Sequence, residues 1–328
     1  MRYTLEQCCA LVEEQLAQVD FAGKQPANLY DPVVYALGGG GKRIRPALTL
    51  MACDLFGGDM QAALTSAVAV EIFHNFTLVH DDVMDNADVR RGRPAVHKRW
   101  SESVAILSGD AMQVLAYQYL CRTAQTEILP DVLRIFSETT LKVCEGQQYD
   151  MDFERRQDVS IEEYLYMIRL KTAELLAGSL KIGALCGGAP APDIDRLYAF
   201  GIALGLSFQI RDDLLDVYAD PAVFGKRLGG DILSGKKTFL LLTALKRADE
   251  ATRKTLLHIA ADKTMADEDK TATVKAIYDA LKVDKAAEQM VETYCKEAIE
   301  HLDMLPLQDE TRKDELKKLA TVLLKRNK

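Results

Sequence analysis

The 328-residue chain has no surplus of basic residues: 41 Lys and Arg stand against 49 Asp and Glu, a formal net charge of −8. With no basic block to offset that balance, a nucleic-acid partner is not expected. There is no Cys-x-x-Cys pair. The seven cysteines (Cys8, Cys9, Cys53, Cys121, Cys144, Cys186 and Cys295) are odd in number and scattered, which fits free thiols in a reducing compartment better than a disulfide framework or a zinc site. Strand signals are scarce, with no Asn-Gly or Asp-Gly turn between alternating apolar runs. No apolar run reaches the roughly 18 residues of a membrane span. The opening Met1-Arg2-Tyr3, with Glu6 and Glu13 close behind, has no apolar signal core. These absences lead to the expectation of a cytoplasmic protein with no membrane span.

What the chain does have is helical periodicity. Leu5, Cys8, Cys9, Leu11, Val12, Leu16 and Val19 mark one amphipathic helix. Pro32 suits the start of a second helix, which Gly38 to Gly41 ends, and Pro46 suits the first turn of a third over 47–56. A long helix is expected over 60–86, followed by others over 101–122, 130–155, 161–185, 194–219, 238–248, 250–261, 271–303 and 311–324. Gly187-Gly188 and Asp220-Pro221 read as breaks, and 262–270 as a charged loop. Neither a low-complexity linker nor a repeat divides the chain. The expectation is one all-α domain over residues 1–328, with helices around a central cavity.

Three constellations bear on chemistry. Gly38-Gly39-Gly40-Gly41-Lys42-Arg43-Ile44-Arg45-Pro46 joins glycines, cations and a helix start, features that suit an anion; a solvated basic turn fits this stretch equally well. It is not a Walker loop, because position 36 is Ala and no Ser or Thr follows the Lys. Asp81-Asp82-Val83-Met84-Asp85 puts Asp81 and Asp85 on one helix face, where the repulsion of three carboxylates calls for cations or a hard metal ion such as Mg²⁺. Alone, it also fits a solvated face. Arg90, Arg91 and Arg93 follow, and they could pair with the carboxylates or bind the remaining oxygens of a metal-bound diphosphate. Asp212-Asp213-Leu214-Leu215-Asp216 then repeats the spacing. Two such motifs in opposite halves of an all-α chain point to metal ions on a diphosphate.

The chain resembles the trans-isoprenyl diphosphate (polyprenyl) synthase family. The matching pieces are G-G-G-K-R-I-R-P, F-H-N-F-T-L-V-H-D-D-V-M-D, R-R-G-R-P-A-V-H, G-Q-Q-Y-D, L-K-T-A and F-Q-I-R-D-D-L-L-D, followed by G-K-R and G-D-I-x-x-G-K-K-T. Together they run through residues 38–238. The resemblance implies the isoprenoid-synthase helical fold and head-to-tail condensation of isopentenyl diphosphate with an allylic diphosphate (dimethylallyl, geranyl or farnesyl), on three Mg²⁺ and in a homodimer. It further implies that Asp81, Asp85 and Asp212 bind Mg²⁺ with Asp150 and Asp216 in support. Arg90, Lys171, Lys226 and Lys236 would hold the allylic diphosphate. Lys42, Arg45, His74 and Arg91 would hold isopentenyl diphosphate, and Thr172 and Gln209 would face the reacting carbons. A one-residue length difference between Lys226 and Asp231 bears on the placement of Lys236. On residue type alone, His74 and His80 read as core histidines.

Below Asp81 on the same helix, Thr77 lies one turn down and Phe73 two turns down, roughly 12 Å, with Phe76 beside them. In the family, the residues four and five before the first Asp set the floor for the growing chain. Small Thr77, large Phe76 and the absence of a two-residue insertion in the motif resemble geranylgeranyl diphosphate synthases, with Phe73 leaving farnesyl diphosphate as the next product. A terpene cyclase would not need Gly41-Lys42-Arg43 or the second motif. A non-catalytic subunit of a heteromeric synthase would be expected to have lost aspartates that this chain keeps.

Overall fold

The computed structural model describes residues 2–19, 21–219, 229–262 and 264–324. Helix dominates it, and the chain groups into two compact units. The first comprises Met1–Ser137, Gly178–Asp195 and Leu307–Glu315; the second comprises Glu138–Ala177, Arg196–Pro306 and Leu316–Lys328.

The first unit is built on the helix Met60–Met84, which starts where the Asp59 side chain accepts from the Gln61 N–H at 3.0 Å. Its residues are buried on nearly every side, by the helices Ile44–Leu55, Glu102–Leu120 and Leu5–Ala17. That explains a composition the sequence expectation did not anticipate. Among the described residues this helix alone is long and apolar enough to cross a membrane, but 72% of its most apolar window is buried inside the protein. It is a core helix. Leu5–Ala17 opens with a capping box between Thr4 and Gln7.

The core of the second unit gathers Phe153, Tyr164, Ile210, Phe239, Tyr278 and Val291 from the helices Leu129–Arg155, Ile161–Ile168, Ala191–Tyr218, Phe239–Arg247, Asp267–Ala280 and Val283–Asp303. A second capping box, Ser160 with Glu163, starts Ile161–Ile168. All seven cysteines are unpaired, as expected.

Several local features depart from the sequence expectation. Pro32 lies inside its helix, Ala27–Leu37, rather than at its start; the ring removes one donor and the rest of the ladder carries the segment. The expected helix over 161–185 is interrupted by a π-helical turn, Arg169–Ala173. The expected helix over 271–303 is two helices, parted where Lys282 takes φ 52°. The loop expected over 262–270 already turns helical at Asp267. A two-residue hairpin also appears, Val89–Arg90 pairing antiparallel with Arg93–Pro94. Its turn residues Arg91 and Gly92 have φ of 52° and 74°, the paired positive values that match strand twist. An Arg-Gly turn lacks the Asn or Asp signal that marks such hairpins in a sequence.

Candidate active site

In the first unit, the glycine turn and its neighbours form a concentrated cationic cluster. Gly41 holds φ 132°, and a Cβ there would stand 2.8 Å from the Arg91 guanidinium. Glycine at this position therefore lets Arg91 lie against the turn, where it donates to the Gly40 carbonyl. Arg45 Nη1 donates to His74 Nε2 at 3.3 Å. Burial, helped by Arg91, brings Arg45 down to about 10 against the pull of Glu71. Burial and then Arg45 and Arg91 hold His74 well below its ordinary range, so the ring is a neutral acceptor near pH 7. Arg91 is lowered by burial and by the crowding of Arg43 and Arg90, against the pull of Glu71 and Glu13. The buried Nε of Arg45 has no hydrogen-bond partner among the described residues. Crowded cations with an unsatisfied donor are what an anion would relieve. Lys42 is exposed at the same turn.

Arg43 does something different. It enters the helix Ile44–Leu55 with φ 46° and turns its side chain inward. Nε donates to Glu13 at 2.7 Å, Nη1 to Glu71 at 2.5 Å and Nη2 to the Leu37 carbonyl at 2.7 Å. Asn75 donates to the same Glu71 oxygen at 2.8 Å. Although the sequence offers Arg43 as a phosphate ligand, the structure makes it the anchor of the glycine turn.

The first aspartate motif divides its three carboxylates. Asp82 is buried and takes Arg90 Nη2 at 2.5 Å and Nε at 2.9 Å. Asp81 is half-buried and Asp85 is exposed, at the C-terminal end of the helix Met60–Met84. His80 Nε2 lies 3.0 Å from the Ile106 carbonyl, which ties the motif to the helix Glu102–Leu120. Below it, aromatic rings pack together. Phe73 meets Phe76 at 5.2 Å and Phe136 at 5.6 Å between centroids, Phe76 meets His80 at 4.7 Å, and Phe136 meets Tyr117 at 5.1 Å. Phe73 is fully buried and Phe76 nearly so. The hydroxyl of half-buried Thr77 donates to the His74 carbonyl at 2.8 Å.

In the second unit, the second motif divides in the same way. Asp213 is buried and accepts from the Tyr164 hydroxyl, from Gln209 Nε2 at 3.1 Å and from the Phe239 N–H at 3.3 Å. Asp212 is half-buried. Asp216 takes the Asp231 N–H at 3.0 Å. Gln209 also accepts from the Thr172 hydroxyl at 2.9 Å, so Thr172, Gln209, Asp213 and Tyr164 form one continuous chain of hydrogen bonds. Lys171 and Thr172 sit on the π-helical turn that interrupts the helix expected over 161–185. Lys171 Nζ bonds Asp150 at 2.7 Å, and Lys236 Nζ lies 3.8 Å from the same oxygen. Burial pushes Asp150 up, but the combined pull of Lys236 and Lys171 holds it below its ordinary range. Lys226 lies outside the described residues.

Glycine makes the π turn possible. A Cβ on Gly146 would fall 2.3 Å from the Lys171 backbone nitrogen, and one on Gly205 would fall 2.5 Å from Ala173 Cα. Neither backbone can yield. Gly146→Ala is therefore expected to displace Lys171 and Thr172, costing about 1–3 kcal/mol as an overpacked site does and lowering kcat. Thermal melting and steady-state rates check this; native values of both would show that the π turn tolerates the shift.

The carboxylates suit a hard cation. Among the described residues no three His, Cys, Asp or Glu side chains group to hold a metal ion by themselves. Asp81 with Asp85, and Asp212, can each offer oxygen donors while leaving coordination positions to water and phosphate, which is how Mg²⁺ is commonly held. Sequence reasoning missed Tyr164, Glu71, Glu13 and Asn75: the first three lie outside the quoted motifs and act through partners far along the chain, while Asn75, inside the F-H-N-F stretch, acts on Glu71 one helical turn away.

A family model for polyprenyl synthetase matches residues 26–280. The chain is 38% identical over 301 residues to a short chain isoprenyl diphosphate synthase of Methanothermobacter thermautotrophicus, covering 92% of this chain and 91% of that one. It is 37% identical over 304 residues to a geranylgeranyl diphosphate synthase of Sulfolobus acidocaldarius, covering 92% of each. A crystal structure of a geranylgeranyl pyrophosphate synthase superposes with a TM-score of 0.93 at 40% identity, covering 99% of both chains.

Proposed function

Because the chain belongs to the polyprenyl synthetase family, the trans-isoprenyl diphosphate synthases of all-α isoprenoid-synthase fold, we propose a role for each residue of its two charged clusters. The enzyme is a short-chain prenyltransferase: it joins isopentenyl diphosphate head-to-tail to an allylic diphosphate and releases pyrophosphate. The family uses Mg²⁺. In our proposal three ions would serve each allylic diphosphate, held by Asp81, Asp85 and Asp212, with Asp216 in support; Asp150, expected in that supporting role, is reassigned because its carboxylate is taken by Lys171 and Lys236. The observation that carries this is the division shared by both motifs, in which the middle carboxylate is tied to Arg90 or Tyr164 and an outer one stays accessible. We propose that residues 1–328 serve this one function.

Lys171, Lys226 and Lys236 hold the allylic diphosphate, and Asp150 positions the first and last of these lysines. Arg90 contributes its charge to the same diphosphate from its place on Asp82. Lys42, Arg45, His74 and Arg91 hold isopentenyl diphosphate, whose diphosphate relieves the crowding of their charges. Mg²⁺, when bound, neutralises charge growing on the leaving diphosphate. The allyl cation left behind needs stabilisation without capture. The Thr172 hydroxyl and the Gln209 amide supply neutral dipoles, and the hydrogen bonds through Asp213 to Tyr164 keep that amide oriented. After the alkene attacks, one proton departs. The released pyrophosphate is basic enough to take it, so no protein base is assigned.

The favoured product is geranylgeranyl diphosphate, with farnesyl diphosphate next, set by Thr77, Phe76 and Phe73. Phe76→Ala is expected to lengthen the product by at least one five-carbon unit, read by chromatography of the dephosphorylated prenols. Unchanged length would remove Phe76 from the floor, and a wild-type product of thirty or more carbons would do the same. We further place the enzyme in the cytoplasm as a homodimer. Ile106, Leu107 and Val114 on the helix Glu102–Leu120 are 42%, 60% and 59% exposed, an apolar stripe suited to a second copy, and sedimentation gives the mass.

The reaction is tested by pyrophosphate release that needs Mg²⁺ and both substrates together. Release from the allylic diphosphate alone would mark a cyclase, and no release a non-catalytic subunit of a heteromeric synthase.

A further inference from the structure

The second unit carries a cavity of about 480 Å³ that none of these residue roles uses. That volume is in the range of pockets that hold drug-sized ligands. Its apolar lining comes from Val159, Leu241, Leu242, Leu245, Leu257 and Ala260. Its charged lining is Arg155, Arg156 and Lys237 against one carboxylate, Glu154. Arg156 is occupied by Asp158 at 2.8 Å and Glu163 at 2.7 Å. Arg155 and Lys237 have no carboxylate partner among the described residues; Lys237 Nζ reaches only the Gly235 carbonyl, at 3.4 Å. Two such cations beside an apolar wall match a ligand with an anionic head and a hydrocarbon tail.

The place of this cavity matters as much as its lining. Gly235, Leu241 and Ala260 line both it and a small neighbouring cavity that reaches Asp231 and Lys236. Lys236 is the lysine beside Asp150, and Lys237 is the next residue. Their short connection is pinned by the Lys236 N–H on the Asp231 carbonyl at 3.0 Å and the Thr238 N–H on the Lys236 carbonyl at 2.9 Å. Consecutive residues on one pinned turn thus serve the allylic cluster and this cavity.

We propose that the cavity is a second binding site for a long-chain prenyl diphosphate, distinct from the catalytic one, with occupancy felt at Lys236 through the shared turn. Having no carboxylate cluster to hold a metal, the site binds its ligand without Mg²⁺. The test measures farnesyl diphosphate binding by calorimetry in EDTA, with isopentenyl diphosphate saturating its own site. The expected result is one metal-independent site per chain, weakened about tenfold or more in Arg155→Ala/Lys237→Ala by the loss of two charge-assisted contacts. Both positions are solvent-accessible, so the variant is expected to melt as the wild type does. Absence of metal-independent binding, or the same affinity in the double variant, overturns the site. With Mg²⁺ present, inhibition by added geranylgeranyl diphosphate is expected to have a component not competitive with the allylic substrate, and the double variant to lose it. Purely competitive inhibition of the wild type overturns the coupling. The binding measurement involves no turnover, so its failure leaves the prenyltransferase assignment standing, and the converse also holds.

Discussion

Replacing Asp81 or Asp85 with Ala is expected to lower kcat on the order of 10³-fold, the scale on which removing preorganised charge stabilisation acts, with little change in thermal stability. Both side chains are accessible and lie at a helix end, where truncation usually moves stability by no more than about 0.5 kcal/mol. Asp82→Asn is expected to behave in the opposite way. Its carboxylate is 3% exposed and holds Arg90, itself 37% exposed. Asparagine keeps the shape and loses the charge, so the melting temperature falls, by about 1 kcal/mol in stability once the exposure of Arg90 is discounted. Turnover falls less than for Asp81→Ala. The second motif is expected to repeat the contrast, Asp212→Ala losing rate and Asp213→Asn losing stability. Melting curves and steady-state rates on all five positions decide the matter. A rate loss of equal size at Asp82 with native melting would mean that the middle carboxylate also holds metal.

Arg43→Ala is expected to be the most destabilising substitution in the first unit, by about 3–5 kcal/mol, the cost of leaving a buried charge without its partner. Arg43 and Glu71 side chains are 2% and 1% exposed, and the Leu37 carbonyl loses its donor as well. The same substitution loosens the glycine turn, so the surviving folded enzyme is expected to show a raised KM for isopentenyl diphosphate with kcat less affected. Replacing both partners, as in Arg43→Met/Glu71→Leu, is expected to recover much of the stability, because apolar residues of similar volume replace buried ion pairs at little cost. It would not recover the KM if Arg43 also fixes the turn. Chemical denaturation of the single and double variants tests the first part, and saturation curves test the second. A fully stable Arg43→Ala would contradict the anchoring role.

Much of the site could be read from the chain because its chemistry needs several charges close together, and closeness in sequence brings them together cheaply. The glycine turn and both aspartate motifs are of this kind. What could not be read is how charges divide once folded. Arg43 and Arg45 are two residues apart and equally basic, yet one is anchored on Glu13 and Glu71 while the other lies on His74 with a buried Nε unsatisfied. Asp82 and Asp213 look like their neighbours until Arg90 and Tyr164 reach them, the latter from 49 residues away. Phe73 is similar: its spacing below Asp81 suggests a lining residue, but only the fold shows it wedged between Phe76 and Phe136.

The π turn at Arg169–Ala173 amounts to one extra residue accommodated in an otherwise regular helix. Removing any single residue from it would restore α-helical winding, and everything beyond would rotate by about 100° relative to what precedes it. Tyr164 and Met167 are buried before the turn, and Leu176 and Leu180 after it, so both flanks are fixed in the core and cannot follow such a rotation. Amino-acid identity in this segment is open to substitution, but its length is not. For anyone diversifying the enzyme, residues 169–173 are a place to exchange side chains and never to insert or delete one.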